Sequence, residues 1–209
     1  MKPILFNTDM VRAILDGRKT VTRRVVKPHF RPGETGWQVI TEKHSGKYVR
    51  IEYLDEWENE TRYMSEPFRP GDILYVRETW CDPSGTGWPY IYKADLPMHW
   101  DGEETENGLP VDLREEDFIW RPSIHMPKDA ARIFLRVTDV RVERLREISA
   151  LSAMDEGVTD WNDFVKLWNS TIKHADLPLY GWSANPWVWV IEFERISRDA
   201  ALKGGDDHA

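Results

Sequence analysis

A lysine three residues ahead of a threonine, set in a run of arginines, is a pattern that can do chemistry. In ILDGRKTVTRRVVK, residues 14–27, five cations (Arg18, Lys19, Arg23, Arg24 and Lys27) fall within ten positions. Like charges so crowded repel. A lysine among them has its pKa pushed down, which suits it to act as a base or to activate a nucleophile. The Thr22 hydroxyl is the nucleophile at hand. In a straight extended strand Lys19 and Thr22 point to opposite faces, so the two converge only where the chain bends. Arg18 by itself reads as a solvated cation favoured by a helix C-terminus.

Two carboxylates and one ring complete the set. In RPGDILYVRETW, residues 69–80, Leu74 and Val76 alternate with Tyr75 and Arg77. If the first pair faces the core, Glu78 follows it inward and needs a cationic or hydrogen-bonding partner. Arg23 or Arg24 is the expected one. Glu156 falls in the last turn of a short predicted helix, where negative charge opposes the dipole and Asp155 adds repulsion. Such an unfavourable placement hints at function. Most of the 11 tryptophans are expected in the core. Trp80, two residues past Glu78, is the one expected to stack a nucleobase. His125 in RPSIHMPK reads as a loop residue. Phosphate-cradling glycine loops, a GxSxG elbow and HExxH are absent. The six histidines show no metal-ligand spacing, so neither a metal nor another cofactor is expected.

Charge distribution limits the partner. Residues 1–50 carry 11 Lys/Arg against 4 Asp/Glu, residues 51–120 carry 5 against 18, and residues 121–209 carry 12 against 14. A uniformly basic coat for nucleic acid is excluded; what survives is a local basic site for one phosphate or nucleotide on an acidic body. The chain has 209 residues, 41% of them hydrophobic and 31% charged, which is ordinary globular composition. No apolar run approaches the roughly 18 residues of a membrane span. The start, MKPILFNTDM, is too short in its apolar part for a signal peptide. A single cysteine, Cys81, rules out an internal disulfide and fits a reducing cytoplasm.

The elements that must position these residues are short. NTDMVRAILDG predicts a helix with Asn7 or Thr8 as cap and Gly17 as terminator. TVTRRVVK is β-branched enough to be extended, with Lys19, Val21 and Arg23 on one face and Thr20, Thr22 and Arg24 on the other. Residues 33–66 predict a hairpin turning at Ser45-Gly46, followed by an acidic loop. ARIFLRVTDVRVERL predicts a long strand or hairpin. EISALSAMDEGV predicts a short helix capped by Ser149, with Leu151 and Met154 as apolar contacts and Gly157 as terminator. DWNDFVKLWNSTI predicts an amphipathic helix with Trp161, Phe164, Leu167 and Trp168 on one side. PWVWVIEFERI predicts the final strand. Short strands with three short helices indicate an α+β domain built on a small sheet or barrel. A single domain over residues 1–198 is expected, with insertions at about 33–66 and 81–118 and a disordered tail at 199–209.

DGRKTVTRR resembles the G-x-K-x-x-T-x-R signature of ASCH domains (ASC-1 homology), here Gly17, Lys19, Thr22 and Arg24. PGDILYVRETW is similar to the family's G-D strand motif. VTDVRVERLREIS with DEGV resembles its third block, a strand and a short helix ending in Glu-Gly, and NPWVWVIEF fits its closing strand. The layout is most similar to ASCH proteins of bacteriophages and prophages. The resemblance implies a PUA-like β-barrel with short flanking helices and a cleft suited to RNA or a modified nucleoside. A small bacterial branch of that superfamily is an N4-acetylcytidine amidohydrolase; its catalytic lysine, threonine and glutamate fall on Lys19, Thr22 and Glu156. This chain is about twice as long as that enzyme.

Two functional expectations follow. As an amidohydrolase, the chain would use Thr22 to attack the acyl carbonyl, Lys19 as base and Glu156 to orient the lysine or shuttle a proton, with Arg23, Arg24, Glu78 and Trp80 binding substrate. As a binding module, the same residues would hold single-stranded RNA or a modified base without chemistry. Ribonuclease and phage-morphogenesis roles are further alternatives that the family admits. Either way the expected partner is a nucleoside or single-stranded RNA, not a membrane, in the cytoplasm of a bacterial host.

Overall fold

The computed structural model describes residues 1–41, 48–82, 90–96 and 118–204. It is mixed α+β, mostly sheet with a few short helices. The first five strands are β1 (Lys2–Leu5), β2 (Val21–Val25), β3 (Gly36–Thr41), β4 (Tyr48–Leu54) and β5 (Glu60–Met64). The rest are β6 (Ile73–Arg77), β7 (Trp80–Cys81), β8 (Ile91–Tyr92), β9 (Phe134–Arg144) and β10 (Trp187–Ile196). The helices are α1 (Thr8–Leu15), α2 (Ala150–Met154), α3 (Trp161–Thr171), α4 (Leu177–Tyr180) and α5 (Arg198–Gly204). Among the described residues no closed barrel is formed, and no helix is long and apolar enough to cross a membrane.

The chain divides into two compact units. One takes Met1–Lys19, Asp72–Arg136 and Glu194–Ala209; the other takes Thr20–Gly71 and Val137–Phe193. Strands β9 and β10 each continue from one unit into the other.

In the first unit β1 runs parallel to β6, Lys2 facing Leu74 and Leu5 facing Arg77. β6 pairs antiparallel with the start of β9, Leu74 against Leu135. Ile4, Leu74, Val76 and Leu135 are buried, as the alternation in ILYVR requires of a strand with one face inward. Helix α1 starts where expected, the Asn7 side chain accepting the Met10 N–H at 2.9 Å. It ends at Gly17, whose φ of +73° lies in the left-handed region that glycine enters without steric cost. The tail expected to be disordered from residue 199 begins instead as α5, which buries Ala201. Residues 205–209 lie outside the described residues. So does most of the expected 81–118 insertion, apart from the β7–β8 pair, which matches Trp80 with Tyr92 and Cys81 with Ile91.

In the second unit β2 pairs antiparallel with β10, Val25 against Val188 and Thr22 against Ile191. Val21, Leu145, Ile148, Ala153, Phe164, Trp168, Val188 and Val190 form the unit's core. β3, β4 and β5 make a separate three-stranded antiparallel sheet. The expected hairpin is there as β3 and β4, while its turn at Ser45-Gly46 lies outside the described residues. The stretch read as an acidic loop contains β5. The Asp55 carboxylate accepts the N–H groups of Trp57 (2.9 Å) and Asn59 (2.8 Å) and folds the turn that returns the chain along β4. In α2 the apolar expectation fails: Leu151 and Met154 are 75% and 48% exposed, and Ala153 is the residue that enters the core.

Candidate functional site

Six polar or charged side chains are buried among the described residues: Lys19, Thr22, Arg23, Glu52, Glu78 and Glu156. Three of them belong to the basic stretch, and Glu156, expected in the last turn of α2, lies just past that helix's C-cap.

Local backbone chemistry explains how β2 begins. The amides of Arg18 and Lys19 both turn back onto the Ala13 carbonyl, at 2.8 and 3.0 Å, and satisfy the end of α1. Lys19 therefore precedes the strand. Its side chain is 2% exposed, with Nζ 5.6 Å from the centroid of the Phe6 ring.

In the second unit the amides of Thr20 and Val21 donate to one acceptor, the Asp155 carbonyl, at 2.9 and 3.1 Å. Asp155 is the C-cap of α2, whose start is capped by Ser149 accepting the Ser152 N–H. The Gly157 N–H then bonds back to Met154 O at 2.8 Å, with Gly157 at φ +88°. This tight exit turns Glu156 inward, to 4% exposure.

The alternation of β2 sends Val21 and Arg23 to the same side, Val21 into the core and Arg23 onto α2. Arg23 Nη1 donates to Glu156 Oε1 at 3.1 Å, and Nη2 donates to Ser152 Oγ at 2.8 Å. Glu143 Oε2 lies 3.8 Å from Nη2. Arg23 Nε is buried with no hydrogen-bond partner among the described residues. Arg23 was expected to bind substrate; its guanidinium is instead occupied by the protein. On the other side of the strand Thr22 is 2% exposed. Half-buried Arg24 faces Trp189 in register. Burial lowers the Arg24 guanidinium below its ordinary pKa, and attraction to Glu156 works against that shift.

Glu78 points inward as the alternation requires, but its partner is neither Arg23 nor Arg24. Arg132 Nε and Nη2 donate to its two oxygens at 3.0 Å each. Arg132 Nη1 reaches Asp95 at 2.8 Å, and the guanidinium lies 3.9 Å from the Tyr92 ring centroid. Burial pushes the Glu78 carboxyl up, and Arg132 pulls it back only in part. Glu78 is thereby a buried structural carboxylate of the first unit. Trp80, expected to stack a base, is 3% exposed. Tyr90 packs edge-on to its ring at 5.4 Å and the Arg121 guanidinium lies 5.2 Å from it. A stacking platform needs an open ring face, and Trp80 does not offer one in this conformation.

Arg132, Ser152 and Glu143 escaped the sequence reading. Arg132 had one signal, a lone cation in the apolar run AARIF. Ser152 and Glu143 had none, because their roles depend on where α2 and β9 come to lie. Among the described residues no group of three or more His, Cys, Asp or Glu side chains is arranged to hold a metal.

No family model matches this chain, and neither does any curated protein or solved structure.

Proposed function

We propose that the chain binds a modified nucleoside, free or within single-stranded RNA, at β2 and hydrolyses the acyl amide of N4-acetylcytidine. The observation that carries this reading is the burial of Thr22, Arg23 and Glu156 within the second unit. Polar side chains are costly to bury, and three of them, two on β2 and one in the turn after α2, call for a reason. The resemblance of residues 16–24, 70–80 and 137–158 to ASCH motifs supports the same reading and brings with it a PUA-like barrel. It also brings a place in the cytoplasm of a bacterial host.

In the proposed reaction the Thr22 oxygen forms a bond to the acyl carbon while the bond from that carbon to N4 breaks. The hydroxyl proton passes through Lys19 to N4, and cytidine leaves. Water then cleaves the Thr22 ester, releasing acetate and restoring the hydroxyl. The net change is N4-acetylcytidine plus water to cytidine plus acetate and one proton. Glu156 orients the lysine or shuttles the proton, the role the resemblance implies for it, and Arg24 supplies positive charge beside the nucleoside.

Incubation of the full chain with N4-acetylcytidine, followed by chromatography, tests the proposal. Cytidine should appear with the wild-type protein and fall at least a hundredfold with Lys19→Ala. No turnover, or turnover indifferent to that substitution, overturns it. Saturable binding with the ligand recovered intact would leave the recognition and remove the hydrolysis.

A further inference from the structure

The buried cation of β2 is held from three directions. Arg23 spends Nη1 on Glu156 at 3.1 Å and Nη2 on Ser152 Oγ at 2.8 Å. Nη1 also lies 3.5 Å from the Ser152 carbonyl oxygen. Glu143 stands 3.8 Å from Nη2 and is itself fixed, because Arg141 donates to it through Nε. Arg141 in turn reaches Asp139 and Glu192 through Nη1. Charges thus alternate in sign from Glu156 through Arg23 and Glu143 to Arg141. With a side chain only 1% exposed, Arg23 cannot reach a ligand without leaving these partners. Its planar fork contacts a hydroxyl and a carboxylate at once, which a lysine ammonium on a flexible stem does not reproduce.

We infer that Arg23 is a positioning residue: locked by Ser152 and Glu143, it fixes the orientation of the Glu156 carboxylate. The inference rests on the amidohydrolase reading and adds Arg23, Ser152 and Glu143 to it, none of which touches the substrate. Ser152 is the informative one. It is partly exposed, sits on a five-residue helix and can lose its hydroxyl without opening the core.

The experiment measures kcat and KM for N4-acetylcytidine in the full chain and in Ser152→Ala, Ser152→Thr and Arg23→Lys, with thermal unfolding of each. Loss of a hydrogen bond to a charged group corresponds to roughly a tenfold effect or more. Ser152→Ala is therefore expected to lower kcat about tenfold with KM unchanged. Ser152→Thr, which restores a hydroxyl, should recover most of that loss, and Arg23→Lys should fall below Ser152→Ala. The inference is overturned if Ser152→Ala keeps kcat within about twofold or if Ser152→Thr fails equally. It is also overturned if the loss lies in KM or only follows a loss of folded protein. If the wild-type chain turns nothing over, the amidohydrolase reading falls and takes this inference with it. Wild-type turnover with an indifferent Ser152→Ala removes the positioning role alone.

Discussion

Arg132 forks onto Glu78 with two parallel hydrogen bonds of 3.0 Å, across 54 residues of sequence. The carboxylate is 1% exposed and the guanidinium 24%, so the pair lives largely out of water. Removing one partner strands the other. Arg132→Met is expected to cost about 3–5 kcal/mol, whereas Arg132→Met with Glu78→Leu should recover most of that loss. Urea unfolding of the two singles and the double gives the coupling directly. Additive losses would show that the fork contributes nothing beyond its separate members.

Tyr92 gives the first unit an alkaline signature. Its hydroxyl donates to the Ala130 carbonyl at 2.6 Å, and burial pushes its pKa up to about 12. The folded state therefore keeps the proton longer than the unfolded chain, which releases it near 10. The stabilisation is fully present below pH 10 and is lost as pH rises through 12. The difference between 10 and about 12 corresponds to roughly 2–3 kcal/mol. Tyr92 should ionise near 12 in an ultraviolet titration, and Tyr92→Phe should remove that step.

Two glycines separate backbone strain from crowding. At Gly17 a Cβ would meet nothing within 4 Å, so Gly17→Ala is expected to cost only the left-handed conformation, about 1–2 kcal/mol. Gly17→Asn should cost less. At Gly181 a Cβ would stand 2.7 Å from the Leu177 carbonyl oxygen, a backbone atom that cannot swing aside. Gly181→Ala is expected to cost about 1–3 kcal/mol, with no relief from asparagine. Chemical denaturation of the four variants checks both patterns.

Thr22 offers a test of chemistry against packing. It is buried and faces Ile191 across the β2–β10 ladder. Thr22→Val keeps the shape and removes the hydroxyl, so stability should move by only about 1 kcal/mol. Turnover of N4-acetylcytidine should be lost, and Thr22→Ser should retain it. Equal turnover in Thr22→Val would remove the nucleophile from the proposed reaction.

What the chain spells out locally, the structure follows. Asn7 and Gly17 mark both ends of α1 because capping and left-handed exit are decided within a few residues. The alternation of Leu74, Val76 and Glu78 fixed the inward direction of the carboxylate for the same reason. Its partner was not legible, because Arg132 arrives through the pairing of β6 with β9 and no local pattern announces that pairing. β5 was hidden by the acidic residues around it; its register along β4 is set by the Asp55 turn, not by an apolar stripe. In α2, spacing alone favoured Leu151 and Met154 as core residues. The helix spans only Ala150–Met154 and turns the small Ala153 inward instead. Alternation already places Arg23 and Arg24 on opposite faces; that the protein takes up Arg23 follows only once α2 is known to lie against its face.

The shared acceptor at Asp155 has a practical consequence for anyone transplanting this motif. Two successive amides, of Thr20 and Val21, hang on one carbonyl at the exit of α2, so residues 20–25 and 149–157 form a cassette that must be moved whole. A graft of the threonine–arginine strand alone would arrive with two dangling donors and with Arg23 in search of a counter-ion. Shortening the helix segment by a single residue in place should do the same damage.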